Sequence, residues 1–431
     1  MYLNVYDAVI LAAGRGIRLD PITQTRPKPL IPLLGNPLLI HILKVIREVG
    51  IVNFHVVVNY MKDMVKKILL DYAKHIEANI NIIEQNGELG TAHAVSKVRG
   101  LVSNRFLLVY GDLFILNSSP ISSIINSHGD MAIGVARVND PWNYGVVITD
   151  GFKVVDIIEK PKQSDIVSNI YVNTGIYLLN SSIFNYIDDV KPSPRGELEL
   201  TDAIKLAIRS GRNIKAIHIP EDYWMDIGKP WNVIDANKTL LRRMMDRTVN
   251  GDIEDNVVIK GPIYIGAGSI IKSGTYIEGP VYIGENCEIG PNTYIRPYTV
   301  LCSNVKIGSS VEVKESVIME NTKLPHLNYV GDSVICEDVN LGAGTVTANF
   351  RFDEENIKMN IKEERIDTGR KKLGAIIGGH VRTGINVSIM PGVKIGAWSW
   401  IYPGVVVYRD IPPSSIVKHT GISYRRVNNY H

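Results

Sequence analysis

The sequence predicts an α/β domain followed by a parallel β-solenoid. Two observations carry this. Apolar runs alternate with segments of helical period from residue 5 to about 240, and from Ile253 onward an aliphatic residue returns at every sixth position. A length of 431 residues suits two or three folding units.

In the first stretch, residues 5–12, 54–59, 80–84, 106–110 and 131–138 read as strands, and 37–49, 62–76, 91–99 and 201–210 as helices. This alternation implies a mostly parallel sheet with helices on both faces, binding ligands beyond the carboxyl ends of its strands. A helical pattern over 230–247, closed by Asn250-Gly251, marks the boundary: a first domain over 1–240, a linker over 241–252 and a second domain over 253–431.

The second rule runs through Ile253, Ile259, Ile265, Ile271, Ile277, Ile283, Ile289, Ile295, Leu301, Ile307, Val313 and Met319 without a miss. It resumes at Ile335, Leu341 and Thr347, and again at Ile377, Thr383, Ile389, Ile395, Ile401 and Val407. A period of six is neither helical nor alternating, and stacked coils that each turn one aliphatic residue inward produce it. Two breaks are expected to be flank insertions: 320–334, which carries His326 and Tyr329, and the charged stretch 350–371.

Lys and Arg total 47 against 44 Asp and Glu, a net charge of +3, so no strong field draws the chain to nucleic acid or membrane surfaces, while small phosphorylated substrates remain open. Hydrophobic residues make up 45% and charged residues 21%, and no apolar run reaches the roughly 18 residues of a membrane span. With no basic leader or cleavage site, and only Cys287, Cys302 and Cys336, too widely spaced for a CxxC zinc site, a soluble protein of the reducing cytoplasm is expected.

The first strand opens into Leu11-Ala12-Ala13-Gly14-Arg15-Gly16-Ile17-Arg18-Leu19-Asp20-Pro21-Ile22-Thr23, then Arg26-Pro27-Lys28-Pro29-Leu30. Glycines after a strand let backbone N–H groups approach phosphate oxygens, and Arg18 and Lys28 add positive charge. The pattern is neither GxxxxGK[ST] nor GxGxxG, which disfavours P-loop ATPases and Rossmann dehydrogenases.

This stretch resembles the signature of the nucleoside-diphosphate-sugar pyrophosphorylases, and further motifs follow in that family's order: Gln85 with Gly90-Thr91-Ala92, Tyr110-Gly111-Asp112, Tyr144-Gly145, Glu159-Lys160-Pro161, Asn173-Thr174-Gly175 and Trp224-Met225-Asp226. The resemblance implies a Rossmann-like nucleotidyltransferase domain. It places nucleotide on Leu11, Ala12, Ala13, Gly14, Gln85, Gly90, Thr91 and Asp112, and sugar phosphate on Gly145, Glu159, Lys160 and Asn173. Arg18 and Lys28 become catalytic, and Asp112 and Asp226 hold Mg²⁺ (or Mn²⁺ or Co²⁺). A sugar-1-phosphate oxygen attacks the α-phosphorus of a nucleoside triphosphate and pyrophosphate leaves. Both reactants are anionic, so the need is for charge neutralisation and in-line positioning, not a base. Asp20-Pro21-Ile22-Thr23 and the Asp226 segment look more like the thymidylyltransferase branch, leaving UTP and dTTP both open.

The solenoid resembles that of the bifunctional enzymes of UDP-N-acetylglucosamine synthesis. Lys314 follows Arg296 by eighteen residues, His326 follows by twelve more, and Tyr329, Asn340, Gly342-Ala343-Gly344, Asn349 and Lys372 extend the match. The resemblance implies a left-handed β-helix, a homotrimer with sites between neighbouring solenoids, and acetyl-CoA-dependent N-acetylation of glucosamine-1-phosphate or galactosamine-1-phosphate. In it His326 is the catalytic base; Arg296, Lys314, Tyr329, Asn340 and Lys372 bind the aminosugar phosphate; Ala343, Asn349 and Pro403 bind acetyl-CoA. Ile385 stands where a Ser is expected. Two rivals remain: a nucleotidylyltransferase whose solenoid serves only assembly or regulation, and a nucleotide-sugar-sensing regulatory subunit, which would be expected to lose Lys28, Asp112 or Asp226.

Overall fold

The computed structural model describes residues 5–73, 75–76, 78–87, 89–165 and 170–419. It contains two compact units. One comprises the described residues through Gly16, Arg26–Ile31 and Asn36–Gly228; the other comprises 17–25, 32–35 and the described residues from Lys229 onward.

The first unit is built on a nine-stranded sheet. Its order is Asn79–Glu84, Asn53–Val58, Asp7–Ala12, Arg105–Tyr110, Tyr171–Asn180, Met131–Ala136, Ile214–His218, Lys153–Glu159, Gly145–Asp150. The four strands at one end are parallel, but Tyr171–Asn180 runs antiparallel to both neighbours and 145–150 and 153–159 form a hairpin. The sheet is therefore mixed rather than mostly parallel. The missed strands carry Gly145, Glu159, Asn173 and Thr174, polar and small residues that mask the apolar pattern. The central strand Asp-Ala-Val-Ile-Leu-Ala has strands on both sides, and Ala8, Val9 and Ile10 are fully buried. Leu11 is level with Tyr110, so the loop at Gly14 and the turn Gly111-Asp112 leave the sheet side by side. A Cβ on Gly111 would stand 2.8 Å from the Leu11 carbonyl oxygen, so only glycine permits that approach. The helices fall at Leu38–Arg47, Lys62–Ala73, Thr91–Ser96 and Leu200–Arg209, and residue 74 of the second expected helix lies outside the described residues.

The second unit is the parallel β-solenoid expected from the hexads, of the left-handed β-helix class that the resemblance implies, with three faces of short parallel strands. Ile265, Ile283, Leu301, Ile318, Ile335, Ile377 and Ile395 stand in register up one face and form part of one continuous buried column. The helix Pro230–Leu241 belongs to this unit, and Arg247–Val249 already pairs as a solenoid strand with Ile263–Ile265, inside the stretch expected to be linker.

The register corrects the reading of 320–334. That segment is a regular coil: Leu324 stands over Ile307 and Val330 over Val313, both fully buried. The phase slips because the inward residues step from 313 to 318 and from 330 to 335, five positions instead of six, so Ile318 rather than Met319 fills the column. The second break is a true insertion. Thr347 pairs directly with Ile389, and before the coil resumes at Ile376–Ile377 the intervening chain forms an antiparallel hairpin, Lys358–Ile361 with Glu364–Asp367. All three cysteines are buried and free. Among the described residues no helix is long and apolar enough to cross a membrane.

Candidate active sites

In the first unit a small antiparallel pair assembles the site. Trp224–Asp226 lies along Leu113–Ile115, with Asp226 opposite Leu113, which brings Asp226 beside Asp112 although 114 positions separate them in the chain. Lys28 enters between them: its Nζ lies 2.6 Å from Asp112 Oδ2 and 3.4 Å from Asp226 Oδ1. Asp112 Oδ1 is buried and has no protein partner. Two carboxylates with one oxygen unclaimed fit a Mg²⁺ ion, which usually takes one or two carboxylates and completes its shell with water and substrate phosphates. Among the described residues no third His, Cys, Asp or Glu joins them.

Ala12 and Ala13 are buried where the strand ends, while Gly14 opens to solvent. Gln85 is buried, and its amide nitrogen lies 3.1 Å from both the Gly90 carbonyl oxygen and His93 Nδ1. Gly90 holds φ +96°, and a Cβ there would meet the Leu198 backbone at 2.5 Å. Thr91 Oγ1 accepts the Leu200 N–H at 2.9 Å, tying this segment to the helix Leu200–Arg209.

Gly145 and Glu159 face each other across the hairpin, and a Cβ on Gly145 would stand 3.0 Å from the Glu159 carboxylate. Thr201 Oγ1 donates to Glu159 Oε2 at 3.2 Å, and Arg195 lies 3.4 Å from Oε1 and 2.6 Å from Glu199. Asn173 donates to the buried Tyr177 hydroxyl, itself 3.2 Å from that of Tyr110. Burial pushes both tyrosines up, keeping them neutral. Lys160 follows at φ +42° with its side chain 41% exposed and its Nζ 4.0 Å from Glu159 Oε1. His93, Arg195, Glu199, Tyr110 and Tyr177 were not anticipated as site residues. The i,i+4 spacing of Arg195 and Glu199 is visible in the sequence, but the pairing of Arg195 with Glu159 is not. Arg18 lies in the turn Ile17–Leu19, in a segment that belongs to the solenoid's compact unit.

In the second unit, Lys314 Nζ lies 3.2 and 3.1 Å from the two oxygens of Asp332, whose side chain is only 2% exposed. Asn349 donates to the same carboxylate at 2.5 Å and to the Tyr329 hydroxyl at 3.1 Å. Arg296 pairs with Glu312 at 2.8 Å, and its Nε is buried without a partner. Lys314, Tyr329 and Asn349 thus form one network on one face, with Arg296 one coil away. His326 is exposed at the end of Lys323–His326 on the adjoining face, where the bridge partners of Lys323 include Asn340. The corner between the faces falls at Leu327, φ +54°. Ala343 is half-buried at the next corner up, Lys372 is exposed where the insertion rejoins the coils, and Pro403 and Ile385 are exposed. Within one chain the network does not include His326 or Lys372.

Comparison with known proteins bears on both units. Residues 7–243 match the nucleotidyl transferase family, and 277–382 match the GMPPB C-terminal domain. A bifunctional sugar-1-phosphate nucleotidylyltransferase/acetyltransferase of Sulfurisphaera tokodaii is 52% identical over 406 residues, covering 94% of this chain and 98% of that protein. The chain belongs to this bifunctional family. The bifunctional protein GlmU of Methanococcus maripaludis is 44% identical across 95% of this chain and 97% of its own length, and that of Methanocaldococcus jannaschii 42% identical across 98% and 100%. Membership by full-length similarity favours an enzyme with two transferase activities over a monofunctional enzyme with a scaffolding solenoid.

Proposed function

We propose that the chain N-acetylates glucosamine-1-phosphate, or galactosamine-1-phosphate, from acetyl-CoA and then transfers a nucleotidyl group from UTP or dTTP to the product, with UDP-N-acetylglucosamine as the principal end product. The observation that carries the second activity is the Lys314–Asp332–Asn349–Tyr329 network. A nearly buried ion pair is a weak source of stability, so a coil serving only assembly gains little from it. As a phosphate site it has a use.

For nucleotidyl transfer, Lys28 neutralises charge on the triphosphate and Arg18 takes the catalytic role that the resemblance implies, while Ala13 and Gly14, at the end of the strand, turn backbone N–H groups to the nucleotide and Leu11 and Ala12 line it. Gln85, held by Gly90 and His93, offers its carbonyl oxygen to the N3–H that uracil and thymine share. Gly145, Glu159 and Asn173 bind sugar hydroxyls and Lys160 the sugar phosphate. A divalent ion on Asp112 and Asp226 supplies charge stabilisation to the phosphates when bound.

In the solenoid, Arg296, Lys314 and Lys372 hold the aminosugar phosphate, and Tyr329 and Asn340 orient the sugar. Ala343, Asn349 and Pro403 hold acetyl-CoA. The amine nitrogen forms a bond to the thioester carbonyl carbon, its proton passes to His326, and the C–S bond breaks to release CoA. A homotrimer with sites shared between neighbours suits His326's position outside the single-chain network. The three free thiols suit a reducing cytoplasm. Assaying Asp112→Asn and His326→Ala against each half-reaction tests the reading: each variant should lose one activity and keep the other.

A further inference from the structure

The insertion that follows Thr347 delivers one half-buried guanidinium, its side chain 17% exposed, to the solenoid. Ile357, Met359 and Ile361 bury the hairpin's apolar side. Thr368 Oγ1 donates to the Ile357 carbonyl at 2.6 Å, and the Ile357 N–H donates to the Arg370 carbonyl at 2.9 Å, which fixes the backbone at Arg370. From there the guanidinium hydrogen-bonds Asp235 on the helix Pro230–Leu241, lies 3.4 Å from Glu315, and points its Nε at the Lys372 carbonyl at 3.4 Å. Lys238 closes the set at 2.6 Å from Glu315.

Glu315 is adjacent to Lys314 and sits at a solenoid corner with φ +42°, a conformation that a residue with a Cβ adopts at a cost. Its coil neighbour at the same corner is Asp332, the partner of Lys314. Two cations, Arg370 and Lys238, therefore hold the Glu315 carboxylate and with it the corner from which Lys314 departs. The same guanidinium ties down the backbone of Lys372.

We propose that Arg370 is a positioning residue of the acetyltransferase site, setting the spacing between Lys314 and Lys372 so that both reach one sugar phosphate. This rests on the acetyltransferase reading above, and it gives the charged insertion a task. Only a planar fork reaches Asp235, Glu315 and the Lys372 carbonyl together, so lysine is no substitute.

The test measures steady-state acetyl transfer by full-length Arg370→Lys and Glu315→Gln, with nucleotidyl transfer to preacetylated sugar phosphate and the melting temperature measured alongside. The expected result is a KM for the aminosugar phosphate raised roughly tenfold, the size of one misplaced binding contact. The KM for acetyl-CoA and nucleotidyl transfer should stay within about twofold. A structural role alone lowers the melting temperature and the active fraction but leaves the KM of surviving enzyme unchanged. Glu315→Gln keeps the Arg370–Asp235 pair and so remains informative if Arg370→Lys fails to fold. Unchanged KM in either folded variant overturns the proposal while leaving the acetyltransferase reading intact. Absence of acetyl transfer in the unmodified chain overturns both.

Discussion

Lys28 Nζ lies 2.6 Å from Asp112 Oδ2, while Oδ1 of the same carboxylate is buried with no protein partner. The carboxylate thus has one oxygen spoken for and one waiting. Asp112→Asn keeps the shape but loses the charge, and nucleotidyl transfer should fall at least about a hundredfold, comparable to removing a principal electrostatic stabiliser. Excess chelator should abolish the wild-type rate and added Mg²⁺ restore it. Near-wild-type activity of the folded variant, or activity in chelator, would remove the metal assignment.

The coil at 320–334 gives a stability prediction. Leu324 is fully buried and stacked over Ile307, so Leu324→Ala should destabilise the solenoid by about 2–5 kcal/mol, the range for truncating a core aliphatic. Were this segment a surface insertion, the cost would stay within about 0.5 kcal/mol. Denaturant unfolding decides between them.

That coil also shows what the sequence concealed. The strict hexads from Ile253 to Val313 were legible because every inward position is aliphatic and every step is six. Past Val313 a single five-residue step hides Leu324 and Val330, although both are apolar, because a fixed-period search cannot follow a corner that loses one residue. In the first unit the buried strands 7–12, 53–58 and 105–110 announce themselves, whereas 145–150 and 171–180 do not, since they carry the polar residues of the candidate sugar site. Asp112 and Asp226 were named from motifs; their adjacency depends on a three-residue strand pairing that no local pattern encodes. Arg195 and Tyr177 act through residues far away in the chain or by burial, and neither shows in composition or spacing; His93 meets Gln85 only because the chain turns at Gly90.

Asp7 supplies a pH dependence. Burial pushes its carboxyl up, but hydrogen bonds from Ser103 and the neighbouring His55 outweigh this and hold it below its ordinary value. A carboxyl lowered in the folded state contributes stability that is present above its unfolded value near 3.8 and lost as pH falls through the folded value. Asp7→Asn should therefore flatten the acid limb of the stability profile, measured by urea unfolding between neutral pH and pH 3. Superimposable acid limbs would contradict the assignment.

His326→Ala should lower acetyl transfer by roughly 10²- to 10⁴-fold, the usual contribution of a positioned proton acceptor. Nucleotidyl transfer to preacetylated sugar phosphate should not change. The deficit should shrink at alkaline pH, where more of the substrate amine is already deprotonated. Parallel pH–rate profiles at similar rates would sink the base assignment.

The central claim is that one chain carries both reactions. Incubating the purified protein with glucosamine-1-phosphate, acetyl-CoA, UTP and Mg²⁺ and weighing the products by mass spectrometry tests it most directly. The expected products are UDP-N-acetylglucosamine, CoA and pyrophosphate. With both acceptors and both triphosphates offered in parallel, nucleotide-sugar products that never carry the acetyl group, or an acetylated sugar phosphate that is never nucleotidylated, would contradict the account.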